Sequence, residues 1–296
     1  MISEQKKDTP QGRKHIKKPD WLKIDLHSNH LSGHTSSIIH ASGLNTICQS
    51  GLCPNRAECW RLGIATLMIG GDVCTRCCRF CNTKTGRPQP LDPQEPQRVA
   101  RSVHHMGLRY AVITSVDRDD LPDLGAHHWA ETLHLIHEAC PKTGVEVLIP
   151  DFQGRKELID IVLAEHPTVV SHNMETVRRL TPSVRSAAKY EQSLGVLRHV
   201  ASRGFTCKTG IMVGLGETEQ EVQELMADVR ETGCSILTIG QYLQPTIKHL
   251  PVEEYVTPEQ FHLYREQALA LGFAHVESGP LVRSSYHADN ILDIKQ

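Results

Sequence analysis

The 296-residue chain predicts an α/β protein, a partial (β/α)6 barrel of TIM type with extensions at both ends. Three observations carry this reading. Short apolar runs rich in β-formers recur from residue 62 onward, helical patterns separate them, and polar residues collect just after the runs. Strands in series with helices between them imply right-handed crossovers and a parallel sheet. Six such units do not close the usual eight-stranded barrel, so a partial barrel is expected, with a doubly wound open sheet as the alternative.

The elements follow in chain order. Residues 1–20 form a Lys-rich arm without periodicity, in which Lys6, Lys7, Arg13, Lys14, Lys17 and Lys18 suit either an acidic partner or plain solvation. Residues 1–61 make an N-terminal extension, 62–274 the barrel and 275–296 a C-terminal segment. The predicted strands are 64–69, 110–114, 145–149, 168–171, 207–213 and 236–239. Ala126, Trp129, Leu133, Ile136 and Cys140 share one helical face. Val222, Leu225, Met226 and Val229 share another, opened by Thr218 and Glu221 as a capping box. The last helix carries Phe261, Tyr264, Ala268 and Leu271, with Pro258 in its first turn and Gly272 at its end.

Composition narrows the functions. Hydrophobic residues make up 39%, charged residues 22% and the formal charge is −2, which argues against a dominant nucleic-acid surface. No apolar run has the length of a membrane span, and the polar N-terminus lacks a secretory core, so the cytoplasm is expected. Ten cysteines in that reducing setting point to metal ligation rather than disulfides. Cys140, Cys207 and Cys234 read as small buried hydrophobes. None of the 18 histidines, which include the pairs His104-His105 and His127-His128, is assigned to catalysis, and most are expected to face water.

Six cysteines form two triplets, Cys48-x4-Cys53-x5-Cys59 and Cys74-x3-Cys78-x2-Cys81. Each offers three thiolates, one short of a fully protein-ligated cubane or tetrahedral zinc site. The open corner leaves a metal position free for chemistry. The second triplet follows the first strand, and Ser115 and Asp117, Asn173 and Glu175, Gly214 and Tyr242 follow later ones. Polar residues at one rim of an apolar sheet constitute a site.

The second triplet, with Phe80 before its last cysteine, resembles the radical S-adenosylmethionine (SAM) superfamily. The resemblance implies a 4Fe–4S cluster on Cys74, Cys78 and Cys81 whose open iron is chelated by SAM, with Cys77 a bystander. Gly210-x-Met212-x-Gly214-x-x-Glu217 is similar to the superfamily's adenine-side segment. Thr114-Ser115-Val116-Asp117 stands where many members carry Gly-Gly-Glu, a departure that leaves Ser115 and Asp117 as candidates for SAM's amine. Asn173 and Glu175 are candidates for its ribose or carboxylate, and Phe80, Gly214 and Tyr242 for further contacts.

The first triplet, Pro19-Asp20-Trp21-Leu22-Lys23, Gly240-Gln241-Tyr242-Leu243-Gln244-Pro245 and Arg283-Ser284-Ser285-Tyr286 resemble the lipoyl synthase family, from end to end of the chain. That resemblance implies a second, auxiliary 4Fe–4S cluster on Cys48, Cys53 and Cys59 with a serine of the last motif, Ser285 in preference to Ser284, as fourth ligand. The implied reaction inserts sulfur at carbons six and eight of a protein-bound octanoyl-lysine by radical hydrogen abstraction, the auxiliary cluster serving as sulfur donor. Such an unactivated methylene has no acidic proton for a general base to use. Implied partners are octanoylated lipoyl carrier domains or the glycine-cleavage H protein, a low-potential donor of ferredoxin or flavodoxin type, and an iron–sulfur cluster carrier. Arg118 and Arg283 join the basic arm as candidates for holding an acidic carrier. The rivals are another sulfur-inserting radical SAM enzyme of the biotin-synthase kind, a two-cluster electron-transfer protein, and a structural zinc protein.

Overall fold

The computed structural model describes residues 16–23, 30–61, 65–286 and 288. Lys6, Lys7, Arg13, Lys14 and Ile64 lie outside them. In chain order the strands are β1 (Asn45–Thr46), β2 (Thr66–Ile69), β3 (Val73–Cys74), β4 (Lys84–Thr85), β5 (Tyr110–Ser115), β6 (Gly144–Leu148), β7 (Val169–Ser171), β8 (Cys207–Val213), β9 (Ile236–Gln241) and β10 (His275–Gly279). One sheet takes them in the order β1-β2-β5-β6-β7-β8-β9-β10, and β3 and β4 form a ladder of their own. All neighbours in the large sheet are parallel except β1 and β2.

The strand order never reverses, so there is no switch point and the doubly wound alternative is excluded. Among the described residues β1 and β10 do not pair, which leaves the barrel incomplete. Its strands are buried nearly throughout, as expected of a parallel sheet covered by helices. The sheet holds one more parallel strand than the six expected. The seventh, β10, continues the register from His275↔Ile236 to Gly279↔Gly240. Only Val276 in it is buried, so it carries no apolar run to betray it.

The helices follow their apolar faces. Ala126–Ala139 buries Ala126, Trp129, Leu133 and Ile136 and stops before Cys140, which caps it. Glu219–Glu231 buries the four expected residues behind a complete Thr218–Glu221 capping box. Pro258–Ala270 buries Phe261, Tyr264 and Ala268, whereas Leu271 lies past its end and is exposed. His128 departs from expectation. It is buried, with Nε2 2.6 Å from Glu95 Oε2, because the helix Glu95–Met106 packs against its own. Among the described residues no helix is long and apolar enough to cross a membrane.

Candidate functional site

The loop between β2 and the helix Glu95–Met106 carries the second triplet and is pinned at its root. Gly70 donates its N–H to Glu95 Oε2 at 2.7 Å and accepts from Arg118 Nη1 at 3.1 Å. Its φ of +82° suits glycine. Arg118 is buried and spent on these and on Asp120, so it is not a surface cation for a carrier to meet. The β3–β4 ladder closes the loop around Cys74.

Cys74 Sγ accepts N–H bonds from Arg76 at 3.4 Å and Asp117 at 3.3 Å. Burial, with Asp117 adding to it, pushes this thiol up to about 12. Burial also raises Cys78. Cys77 is exposed, its N–H held by Ser186 Oγ at 3.1 Å.

Arg76, inside the cysteine loop, has a side chain only 6% exposed and meets three carboxylates. It is bidentate to Asp119 at 2.7 and 2.9 Å and to Asp151 at 3.0 and 2.8 Å, and stands 3.3 Å from Asp117. Asp117 and Asp119 follow β5 and Asp151 follows β6, so one guanidinium ties the loop to two strand ends. Burial lifts Asp117 to about 6 against the pull of Arg76. Although burial opposes it, the same guanidinium holds Asp151 well below the carboxylate range. Neither Arg76 nor Asp151 stands out in the sequence as a site residue. The only signal is an arginine between cysteines and the Asp-Arg-Asp-Asp run downstream, and nothing in the sequence pairs them.

A cavity of about 460 Å³ opens at the carboxyl ends of the strands. Cys74, Cys78, Cys81, Phe80, Ser115, Asp117, Asn173, Glu175 and Tyr242 all line it. Ser115 Oγ accepts from Trp129 Nε1 at 3.2 Å, and the Tyr242 hydroxyl donates to Leu250 O at 2.8 Å. Asn173 Nδ2 donates to Glu175 Oε1 at 3.1 Å and Ser284 Oγ at 3.2 Å. Its Oδ1 is buried with no partner. Glu175 takes a φ of +66° and is raised by burial, against the nearby Arg185 guanidinium. Arg185, buried, also lines the cavity and was not read from the sequence. Gly214 does not line it. A Cβ there would come within 2.1 Å of Gln241 Nε2 and 2.4 Å of Glu254 O, so this glycine serves a crowded turn.

The first triplet sits beside the C-terminal segment. Cys48 is buried in the core, and Cys53 and Cys59 pack against it. Burial and the neighbouring Cys53 and Cys48 push Cys59 up to about 12. Burial and the neighbouring Cys48 raise Cys53, against a weaker pull from Arg283, and burial and Glu58 raise Tyr286. Asn55 Nδ2 donates to Leu281 O at 2.7 Å, and the Tyr286 hydroxyl lies 3.4 Å from Glu58 Oε1. The segment crosses β9 at Gly240, where a Cβ would fall 2.1 Å from Val282 O. Ser284 then faces Asn173, and Ser285 accepts from Thr66 Oγ1 at 2.8 Å. Arg283 and Ser284 line the cavity, as do Gly51, Leu52 and Pro54 of the first triplet's loop. The second triplet and the loop of the first therefore border one space, while Cys48, Cys53, Cys59 and Ser285 lie behind its wall.

The residues fit the implied groups. Among the described residues no group of three or more His, Cys, Asp or Glu side chains is gathered closely enough to hold a single metal ion. A cubane takes each thiolate at a separate iron. Desolvated thiols ionise only against a cation, and two backbone N–H groups already aim at Cys74. For a nucleoside amino acid, the unpartnered Asn173 Oδ1 is an acceptor in waiting. Gly210 lines the cavity too, and a Cβ there would crowd Thr238 Oγ1 at 2.6 Å and Asn173 Oδ1 at 3.0 Å.

A family model described as the radical SAM superfamily matches residues 68–229. A Parabacteroides distasonis protein named lipoyl synthase is 64% identical over 93% of this chain and 98% of its own length. A Bacteroides fragilis protein of the same name is 62% identical over 93% and 96%. The crystal structure of methylornithine synthase superposes with a TM-score of 0.52 at 11% identity, covering 85% of this chain and 79% of that one, a likeness of fold alone.

Proposed function

Because the chain belongs to the lipoyl synthase family of radical SAM enzymes, we propose that it inserts sulfur at carbons six and eight of an octanoyl-lysine carried on a protein. The observation that supports this reading is that the second triplet, the loop within the first triplet and the Arg283-Ser284 pair border one cavity. When bound, the clusters and SAM supply a radical strong enough to take hydrogen from an unactivated carbon, and the sulfur that replaces it.

The chain's own residues do the rest. Cys74, Cys78 and Cys81 hold one 4Fe–4S cluster from a loop that Arg76, Gly70 and Thr75 lock to the rim. Asp117, Asn173 and Glu175 meet the polar end of SAM, with Ser115 beside them; Phe80 and Tyr242 supply apolar walls. Cys48, Cys53, Cys59 and Ser285 hold the auxiliary cluster between the segment before the barrel and the one after it. Serine oxygen is a harder donor than thiolate and binds that iron less firmly, which suits a cluster that gives up sulfur. Leu52 and Phe80 add apolar surface to the cavity, where an acyl chain would lie.

The substrate is an octanoylated lipoyl carrier domain or glycine-cleavage H protein. A low-potential ferredoxin or flavodoxin reduces the enzyme, and a cluster carrier rebuilds the auxiliary site. A cytoplasmic setting suits ten free cysteines, six of them read as cluster ligands. The test is anaerobic turnover with an octanoyl-lysine peptide, SAM and reductant, read by mass spectrometry. Gain of a pair of sulfur atoms with one deoxyadenosine per C–S bond is expected. Turnover of dethiobiotin in place of the peptide, or SAM cleavage with no sulfur gained, would sink the reading.

A further inference from the structure

A serine that ligates a cluster must be held in place. Ser285 belongs to a short turn, closed by a Tyr286 N–H to Arg283 O bond of 2.9 Å, and such a turn has little rigidity of its own. A serine side chain has three staggered rotamers to choose among. Its hydroxyl meets Thr66 Oγ1, which donates to Ser285 Oγ at 2.8 Å. These residues are 219 positions apart in the chain.

Thr66 has the opposite mechanical character. It opens β2, pairs in register with Val112 of the next strand and is 3% exposed. As a β-branched residue in a sheet it is stiff at χ1. No other described hydrogen bond uses its hydroxyl. A buried hydroxyl needs a partner, and this one spends its proton across the fold rather than on a nearby carbonyl.

We propose that Thr66 is a positioning residue for the auxiliary site, its hydroxyl on β2 fixing the Ser285 oxygen where the first triplet's cluster is ligated. The inference rests on the reading of Ser285 as a ligand. Ser285 Oγ, as an acceptor, takes the Thr66 proton on one lone pair and keeps another for iron. Asn55 Nδ2, which donates to Leu281 O at 2.7 Å, and the Tyr286 hydroxyl, 3.4 Å from Glu58 Oε1, tie both sides of the turn to the first triplet's loop. Ser284 faces the other way, toward Asn173. Thr66 touches no cluster atom in this account; it acts through Ser285.

The test uses the full chain with Cys74, Cys78 and Cys81 replaced by alanine, reconstituted with iron-57 so that only the auxiliary site is read. Release of ferrous iron to a chelator and the Mössbauer spectrum of the distinct iron are measured. Thr66→Val keeps shape and strand preference and removes the donor, so release should quicken about three- to tenfold, the effect of one hydrogen bond. Thr66→Ser should restore the parent rate. Ser285→Ala should release iron at least as fast as Thr66→Val, and adding Thr66→Val to it should change nothing more. Should Thr66→Val fail to fold, Thr66→Ala provides the same comparison. Normal release from Thr66→Val beside fast release from Ser285→Ala defeats the positioning role and leaves the ligand standing. Normal release from Ser285→Ala defeats the ligand assignment itself.

Discussion

Arg76 carries more of the site than any residue the sequence pattern selects. Removing one partner of a buried ion pair leaves the others uncompensated, at a cost of about 3–5 kcal/mol. Arg76→Met should therefore lower the unfolding free energy of the cluster-free protein, read from urea titration, by about that much, with Asp151, fully buried, the main casualty. His172 supplies a second residue-scale expectation. Burial and the Arg185 charge lower it to about 4, its ring held by Ile149 O and Ser193 Oγ, each at 3.0 Å. Between about pH 4 and 6.5 the unfolded chain binds the proton and the folded one does not, so stability falls as pH drops through that window. Thermal unfolding of His172→Gln should show a shallower loss over the same range, and an unchanged slope would refute the assignment. Neither role is legible in the sequence, because both depend on which rim loops are neighbours.

Elements divide differently. The helices Ala126–Ala139 and Glu219–Glu231 were readable to within a residue or so, since a periodic apolar face and a capping box are local signals. Strand β10 was not, because its residues alternate without an apolar run and its partner β9 supplies the register. The C-terminal segment depends on β9 too. Gly240→Ala should push Val282 off the strand while leaving the barrel folded. Hydrogen–deuterium exchange over residues 281–286 should rise, and wild-type exchange there would show that the crossing does not need glycine.

At the scale of the molecule, the barrel and the auxiliary site should be separable. Cys53→Ala, reconstituted without oxygen, should bind about half the wild-type iron and still cleave SAM, yet release no thiolated product. Wild-type iron content would argue that the first triplet holds no cluster. The sequence alone determined the chemistry on offer, because cysteine spacing and the period of apolar residues are properties of neighbouring positions along the chain. It also determined the parallel α/β architecture, which follows from strands and helices taken in turn. Only the tertiary structure decided that Arg76 joins three aspartates, that His128 is buried against Glu95, and that Ser285 meets Thr66 across nearly the whole chain. Those contacts join residues far apart in sequence, and their partners are chosen by the winding of the barrel rather than by any local pattern.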